Sequence, residues 1–241
     1  MNPQEYTNLA RVENSHWYYA GKRELVRHWI VRFLGETARL RMLDCGAGTG
    51  CFAAEMGAVH EVHVLDDHED SLRMLRERFP ADRVHGLGPE GMPFPCGQFD
   101  LVTMLDVLEH IKEDGEALKE VARVVKPGGY VVVTVPASMA LWSDWDVALH
   151  HFRRYDRTTL RRLFGQCGEL EVCHVNYTNT LVFPLVWLVR KLRFPRTQRR
   201  GEDYLPPAWI NSCLRRLFVW TGMIRFPMPW GVSLLLVARR K

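Results

Sequence analysis

The sequence is poor in the features that staple or anchor a chain. Its six cysteines, Cys45, Cys51, Cys96, Cys167, Cys173 and Cys213, form no C-x-x-C pair. The opening stretch MNPQEYTNLARVEN is polar and reads as no secretory segment. Reduced thiols in a cytoplasmic protein are the expectation. No run reaches the roughly 20 uninterrupted apolar residues that a membrane-spanning helix needs; the longest candidate, Thr180 to Val189, is too short. His60, His63 and His68 keep no compact ligand spacing and no cysteine pair joins them, so no metal site is expected. Gly50 is followed by Cys51-Phe52 rather than by the Lys-Ser or Lys-Thr of a P-loop, which excludes phosphate chemistry of that type.

What is present is a chain of 241 residues, long enough for one large α/β domain with a full core. Its net charge of +4 is unevenly spread. From Leu185 to Lys241 twelve Lys and Arg face only Glu202 and Asp203, a local +10. Such a basic, tryptophan-containing quarter suits an anionic lipid surface or a solvated arginine-rich face equally. No groove-reading or single-strand motif accompanies the charge, so no nucleic-acid partner is expected.

Hydrophobic periodicity predicts an N-terminal helix over 14–33, strands at 40–45, 61–67, 83–86, 99–105 and 130–135, and helices at 49–57, 68–79 and 114–125, the last closed by Lys126-Pro-Gly-Gly129. Strands alternating with helices at this spacing imply a parallel sheet covered on both faces. Beyond Pro136 a helix at 158–167, a strand at 170–177, helices within 180–228 and a closing strand at 232–238 are expected.

The glycines of Gly46-Ala-Gly-Thr-Gly50 lie where the chain must turn from strand to helix, leaving backbone amides open to a ligand. The dinucleotide fingerprint requires Gly or Ala at position 51, which is Cys51, and this disfavours nicotinamide. About 20 residues on, Asp66 and Asp67 end the second strand, where a carboxylate can accept hydrogen bonds from ribose hydroxyls. Asp44, just before the turn, either anchors the loop or meets a ligand ammonium.

Four consecutive segments then carry a family resemblance: LDCGAGTG (43–50), the acidic pair at 66 and 67, PFPCGQFDLVTMLDVLEHI (93–111) and ARVVKPGGYVVVTVPA (122–137). In this order they resemble the motifs of class I S-adenosylmethionine-dependent methyltransferases of the type-11 group. HWYYAGKRE (16–24) and LWSDWDVALHHFRRYDRTTLRRLF (141–164) resemble a bacterial subgroup of these enzymes. The resemblance implies a Rossmann-like doubly wound α/β fold, a seven-stranded mixed sheet with a C-terminal helical cap, and S-adenosyl-L-methionine as cofactor, leaving S-adenosyl-L-homocysteine. It implies an N-terminal aromatic lid (1–39), a cofactor-binding core (40–137), a substrate cap (138–230) and a closing strand with a basic tail (231–241). Asp44, Gly46, Gly48 and Gly50 are implied to meet the methionine part, Asp66 the ribose, and Leu105 and Asp106 to line the cofactor. The acidic residue that often holds the adenine amino group corresponds here to Gly88, so Glu90 or a backbone carbonyl must replace it.

Methyl transfer from a sulfonium is an in-line displacement, and a hydroxyl acceptor must also lose a proton. The candidate bases follow the fifth strand: His150 and His151, with Tyr155. Trp17, Tyr18, His110, Trp142 and Arg154 are candidate acceptor contacts. His110, four residues after Asp106, is within reach of it on a helix or turn, a pairing that would orient the ring. The expectation is methylation of a small or lipophilic acceptor, at oxygen, with peripheral membrane contact through 182–229. The alternatives are nitrogen or carbon methylation, or a non-catalytic cofactor- or partner-binding module.

Overall fold

The computed structural model describes residues 10–36, 39–89, 91–192 and 205–241. Strands β1 (Arg41–Cys45), β2 (Glu61–Asp66), β3 (Val84–Gly86), β4 (Phe99–Leu105), β5 (Val125–Pro136), β6 (Leu170–Thr178) and β7 (Ser233–Arg240) form one sheet in the order β3-β2-β1-β4-β5-β7-β6. The first five run parallel, and β7 lies antiparallel between β5 and β6. The helices are α1 (Trp17–Leu34), α2 (Cys51–Gly57), α3 (Glu69–Arg78), α4 (Asp114–Val124), α5 (Asp144–Ala148), α6 (Arg157–Cys167), α7 (Phe183–Lys191) and α8 (Ala208–Gly222).

Because side chains alternate across a strand, continuous apolar strands can feed two cores. Val131, Val133 and Val135 of β5 and Leu234, Leu236 and Ala238 of β7 join one core with Leu118 of α4 and Leu160 and Phe164 of α6. Val132, Leu235 and Val237 point the other way, to Leu25, Val26, Trp29 and Ile30 of α1, Phe52 of α2, Leu75 of α3 and Phe218 and Val219 of α8. The sheet is therefore clad on both faces, as the βα alternation required.

Most elements fall within a residue or two of their predicted ends. Two departures have local causes. The Lys126-Pro-Gly-Gly129 segment lies inside β5 instead of closing α4. It is accommodated by a register shift opposite Phe99 and Leu101, where a β-carbon on Gly129 would sit 3.0 Å from the Asp100 carbonyl oxygen. α1 is packed against the C-terminal α8, and the contact is close: side chains at Gly21 and Gly222 would meet Phe218 at 2.8 Å and Leu25 at 2.4 Å. The aromatic start of the chain and the segment between β6 and β7 thus cover the same sheet face.

Candidate active site

Parallel strands aim their carboxyl ends at one edge, and a crevice opens where the order reverses, between β1 and β4. The turn after β1 rims it. Gly46, Gly48 and Gly50 all have positive φ, between 57° and 74°. At Gly46 a β-carbon would lie 2.5 Å from Val107, whereas at Gly48 it would meet nothing within 4 Å, so the turn presents open backbone to the crevice.

Asp66 organises this turn. Its Oδ2 accepts the Gly48 N–H at 2.9 Å and its Oδ1 the His68 N–H at 3.0 Å. Asp67 beside it is exposed. Asp44 is 3% exposed and accepts the Thr103 hydroxyl at 2.6 Å. Burial pushes its carboxyl up to about 7; the Thr103 bond opposes this, and the nearby Asp66 charge adds to it. A buried carboxylate held at the edge of ionisation suits a ligand that brings positive charge. Glu13 and Asn14 close the back of the turn, accepting from Thr49 Oγ1 at 2.6 Å and Cys51 Sγ at 3.1 Å. Sequence reasoning missed both, since nothing in an isolated Glu-Asn marks contact with a loop some 36 residues away.

At the end of β4 the chain turns sharply, with Asp106 at φ 57°. The expected Asp106–His110 pairing does not form. Asp106 Oδ2 accepts from Lys22 Nζ of α1 at 2.6 Å and its Oδ1 from the Thr134 hydroxyl at 2.9 Å. Burial alone would raise its proton affinity, but Lys22 and Thr134 outweigh it and hold the carboxyl below its ordinary range. Leu105 packs with the α1-side core. Lys22 also lies over the rings of Tyr18 and Tyr19, at 5.5 and 6.0 Å. Tyr18 and Lys22 line a small cavity with Thr134, Phe218 and Ser233. Trp17 packs edge-on against Phe218 at 6.1 Å, and its N–H donates to Asn211. Lys22 carried no sequence signal, because helical spacing cannot reveal a partner from the end of a distant strand.

The segment after β5 folds back over the crevice. Ser138 N–H donates to the Tyr155 carbonyl and Tyr155 N–H to the Pro136 carbonyl, and Phe152 N–H latches onto the Glu109 carbonyl at 2.8 Å. This latch brings His110 edge-on to His151, ring centroids 4.6 Å apart. His151 Nδ1 is 3.0 Å from Asp146 Oδ1. Asp146 is wholly buried and also accepts Arg154 Nε at 2.6 Å and the Ser143 N–H at 2.9 Å. Burial opposes its charge, but the His151 and Arg154 bonds prevail and hold it well below the usual carboxylate range. Burial and the neighbouring His151 bring His110 down to about 4. Glu109 is 1% exposed, and burial, with Asp106 adding to it, holds its carboxyl well above the ordinary range.

The remaining candidates are dispersed. His150 is exposed, in a left-handed turn with φ 59°. Tyr155 is buried, its hydroxyl 2.8 Å from Asp114 Oδ2 and 3.2 Å from the Leu108 carbonyl; burial first and Asp114 second push its proton affinity up. Arg154 spends its guanidinium on Asp146 and the Ala137 carbonyl. Trp142, half-buried, follows the short turn Met139–Leu141. Gly88 exchanges both backbone hydrogen bonds with Gly91, closing a tight turn at the expected adenine edge. Glu90 lies outside the described residues.

Strand order, open glycine turn and acidic crevice together define an α/β sandwich built to hold a nucleoside cofactor. Comparison with known proteins narrows this. Residues 18–174 match the family model described as a methyltransferase domain. The chain is 31% identical over 176 residues to the biotin biosynthesis bifunctional protein BioHC of Cellvibrio japonicus (strain Ueda107), covering 68% of this chain and 34% of that protein. It is 32% identical over 123 residues to the ubiquinone/menaquinone biosynthesis C-methyltransferase UbiE of Pseudomonas putida, covering 47% of this chain and 48% of that one. The chain thus spans about a third to a half of the length of these relatives. Among solved structures, a Thermotoga maritima methyltransferase described as a possible histamine N-methyltransferase superposes with a TM-score of 0.59 at 18% identity, over 99% of this chain and 96% of that one. The chain belongs to the class I S-adenosylmethionine-dependent methyltransferases.

Proposed function

We propose that this methyltransferase transfers the methyl group of S-adenosylmethionine to an oxygen of a lipophilic acceptor taken up at a membrane surface. The observation that carries the oxygen assignment is the polar cluster of Glu109, His110 and His151, buttressed by Asp146, where the segment after β5 latches onto the turn that follows β4. Such a cluster can bind an acceptor hydroxyl and accept its proton as the oxygen–methyl bond forms.

When bound, the cofactor supplies an electrophilic methyl on a sulfonium. Asp44 opposes its positive charge, and the backbone between Gly46 and Gly50 receives its amino-acid part. Asp66 has both oxygens engaged by amides but keeps lone pairs for ribose hydroxyls. Lys22 of α1, held by Asp106 and lying over the Tyr18 ring, brings the N-terminal helix to the end of β4.

For the acceptor's route, the face formed by α7, α8 and the loop to β7 supports the reading. Trp209 and Phe226 are each 75% exposed, Trp220 and Leu185 64%, and Trp230 48%. The exposed Lys191, Arg215, Arg216 and Arg225 belong to the same elements. Exposed aromatics interleaved with cations are the make-up of an interfacial surface for anionic phospholipid. No helix among the described residues is long and apolar enough to cross a membrane.

The test uses cofactor labelled with carbon-13 at the methyl group and a panel of prenylated and long-chain phenols and alcohols, with the product methyl read by NMR. A methoxy signal supports the reading. A carbon-bound methyl would overturn it in favour of the second reading, carbon methylation, which the likeness to UbiE favours.

A further inference from the structure

Glu109, His110 and His151 each offer one ligand atom, and the three atoms lie within 4.8 Å of one another. The Oε2 of Glu109 is fully buried without a hydrogen-bond partner. The two cations nearest in effect are engaged elsewhere: Lys22 on Asp106 and Arg154 on Asp146. The His151 side chain is 7% exposed, and its Nδ1 lies 3.0 Å from Asp146 Oδ1, so Nε2 is the ring atom left for a ligand. A histidine fixed in this way by a carboxylate is the usual support of a metal-bound imidazole.

We propose that Glu109, His110 and His151 bind one divalent cation of the first-row transition series, and that its open positions hold the acceptor oxygen beside the methyl donor. Two imidazoles and one carboxylate favour manganese, iron, cobalt or zinc over magnesium and calcium, which take mostly oxygen. Metal–ligand bonds of about 2.1 Å set ligand atoms about 3.4 Å apart in a tetrahedron, so the three side chains, whose ligand atoms lie within 4.8 Å, close by up to about 1.4 Å. The ion supplies the counter-charge that buried Glu109 lacks. Bound to an acceptor hydroxyl, it lowers that group's pKa, and the proton leaves to solvent as the oxygen–methyl bond forms and the sulfur–methyl bond breaks. The ion's place borders the cofactor crevice, since the Leu108–His110 turn follows directly on the sharp bend at Asp106 that ends β4. Only the ion's role rests on the oxygen-methylation reading; its binding does not.

The test titrates tag-free, chelator-treated protein with Co2+, followed by calorimetry and by the visible absorption of the bound ion. One equivalent binding at micromolar Kd is expected. Glu109→Gln and His151→Asn should weaken it at least tenfold, and Asp146→Asn, a positioning change, by about 10- to 100-fold. His28→Asn, on α1, should bind as the wild type does. Each variant is also titrated with S-adenosylhomocysteine, whose retained binding reports a folded cofactor site. The inference is overturned if wild type binds S-adenosylhomocysteine but no stoichiometric Co2+, or if Glu109→Gln and His151→Asn bind Co2+ as wild type does. A carbon-bound methyl product together with intact Co2+ binding would instead remove the oxygen-methylation reading and leave the site standing.

Discussion

Replacing Asp44 by Asn separates the cost of a buried charge from its use. Asp44 is 3% exposed, and burial raises its carboxyl to about 7 from an ordinary value of 3.8. The folded state therefore binds more protons than the unfolded state between these values. Stability falls as pH rises through that window, and the full loss is present above pH 7. A shift of about 3 units corresponds to roughly 4 kcal/mol, of which about 3 kcal/mol falls between pH 5 and 8. Asn keeps the shape and the carbonyl that accepts from Thr103 but does not ionise. Urea unfolding of the cofactor-free protein should show the wild type losing about 3 kcal/mol more than Asp44→Asn on going from pH 5 to 8. Cofactor binding should move the other way: it discharges a proton from wild type near pH 6, seen as a buffer-dependent heat, and weakens at least tenfold in the variant. Parallel pH slopes in the two proteins, or equal affinities, would refute this account of Asp44.

Asp66→Ala removes the acceptor of the Gly48 and His68 amides, and calorimetry should find cofactor binding collapsed while thermal unfolding stays cooperative. Lys22→Met leaves Asp106 part-buried without its cation; a loss of about 3 kcal/mol in chemical denaturation is expected, recovered in part by Asp106→Asn in the same chain. Tyr155→Phe removes the bond to Asp114, which keeps its 2.8 Å pair with Arg153; about 1 kcal/mol of stability should go with turnover reduced little, whereas a collapse in kcat alone would assign Tyr155 to the chemistry. Trp209→Ser with Trp220→Ser should abolish co-sedimentation with vesicles rich in phosphatidylglycerol without changing S-adenosylhomocysteine affinity; undiminished sedimentation would remove the lipid-facing role.

The sheet was legible because its signals are local. Unbroken runs such as Val131 to Val135 mark strands buried on both faces, and the glycines at 46, 48 and 50 mark a turn that other side chains would strain. Motif order was enough to give the cofactor class, since the glycine turn and the acidic strand end occupy fixed places in a βαβ unit. The partners of single charged groups were not legible. Asp106 was read against His110, four residues away, yet the left-handed turn at Asp106 directs its carboxylate to Lys22, 84 residues distant. His110 and His151 are each marked as site candidates in the sequence, but nothing local shows that they meet: they come from separate elements latched by one backbone bond between Phe152 and Glu109.

By itself the sequence determined the strand order's raw material, the two-sided core and the kind of cofactor, because periodicity and backbone constraint act over a few residues. Only the tertiary structure decided which carboxylates carry their charge, which histidines face each other and which aromatic side chains stay in water. Those properties depend on burial and on distances between elements remote in the chain, and no local pattern encodes either.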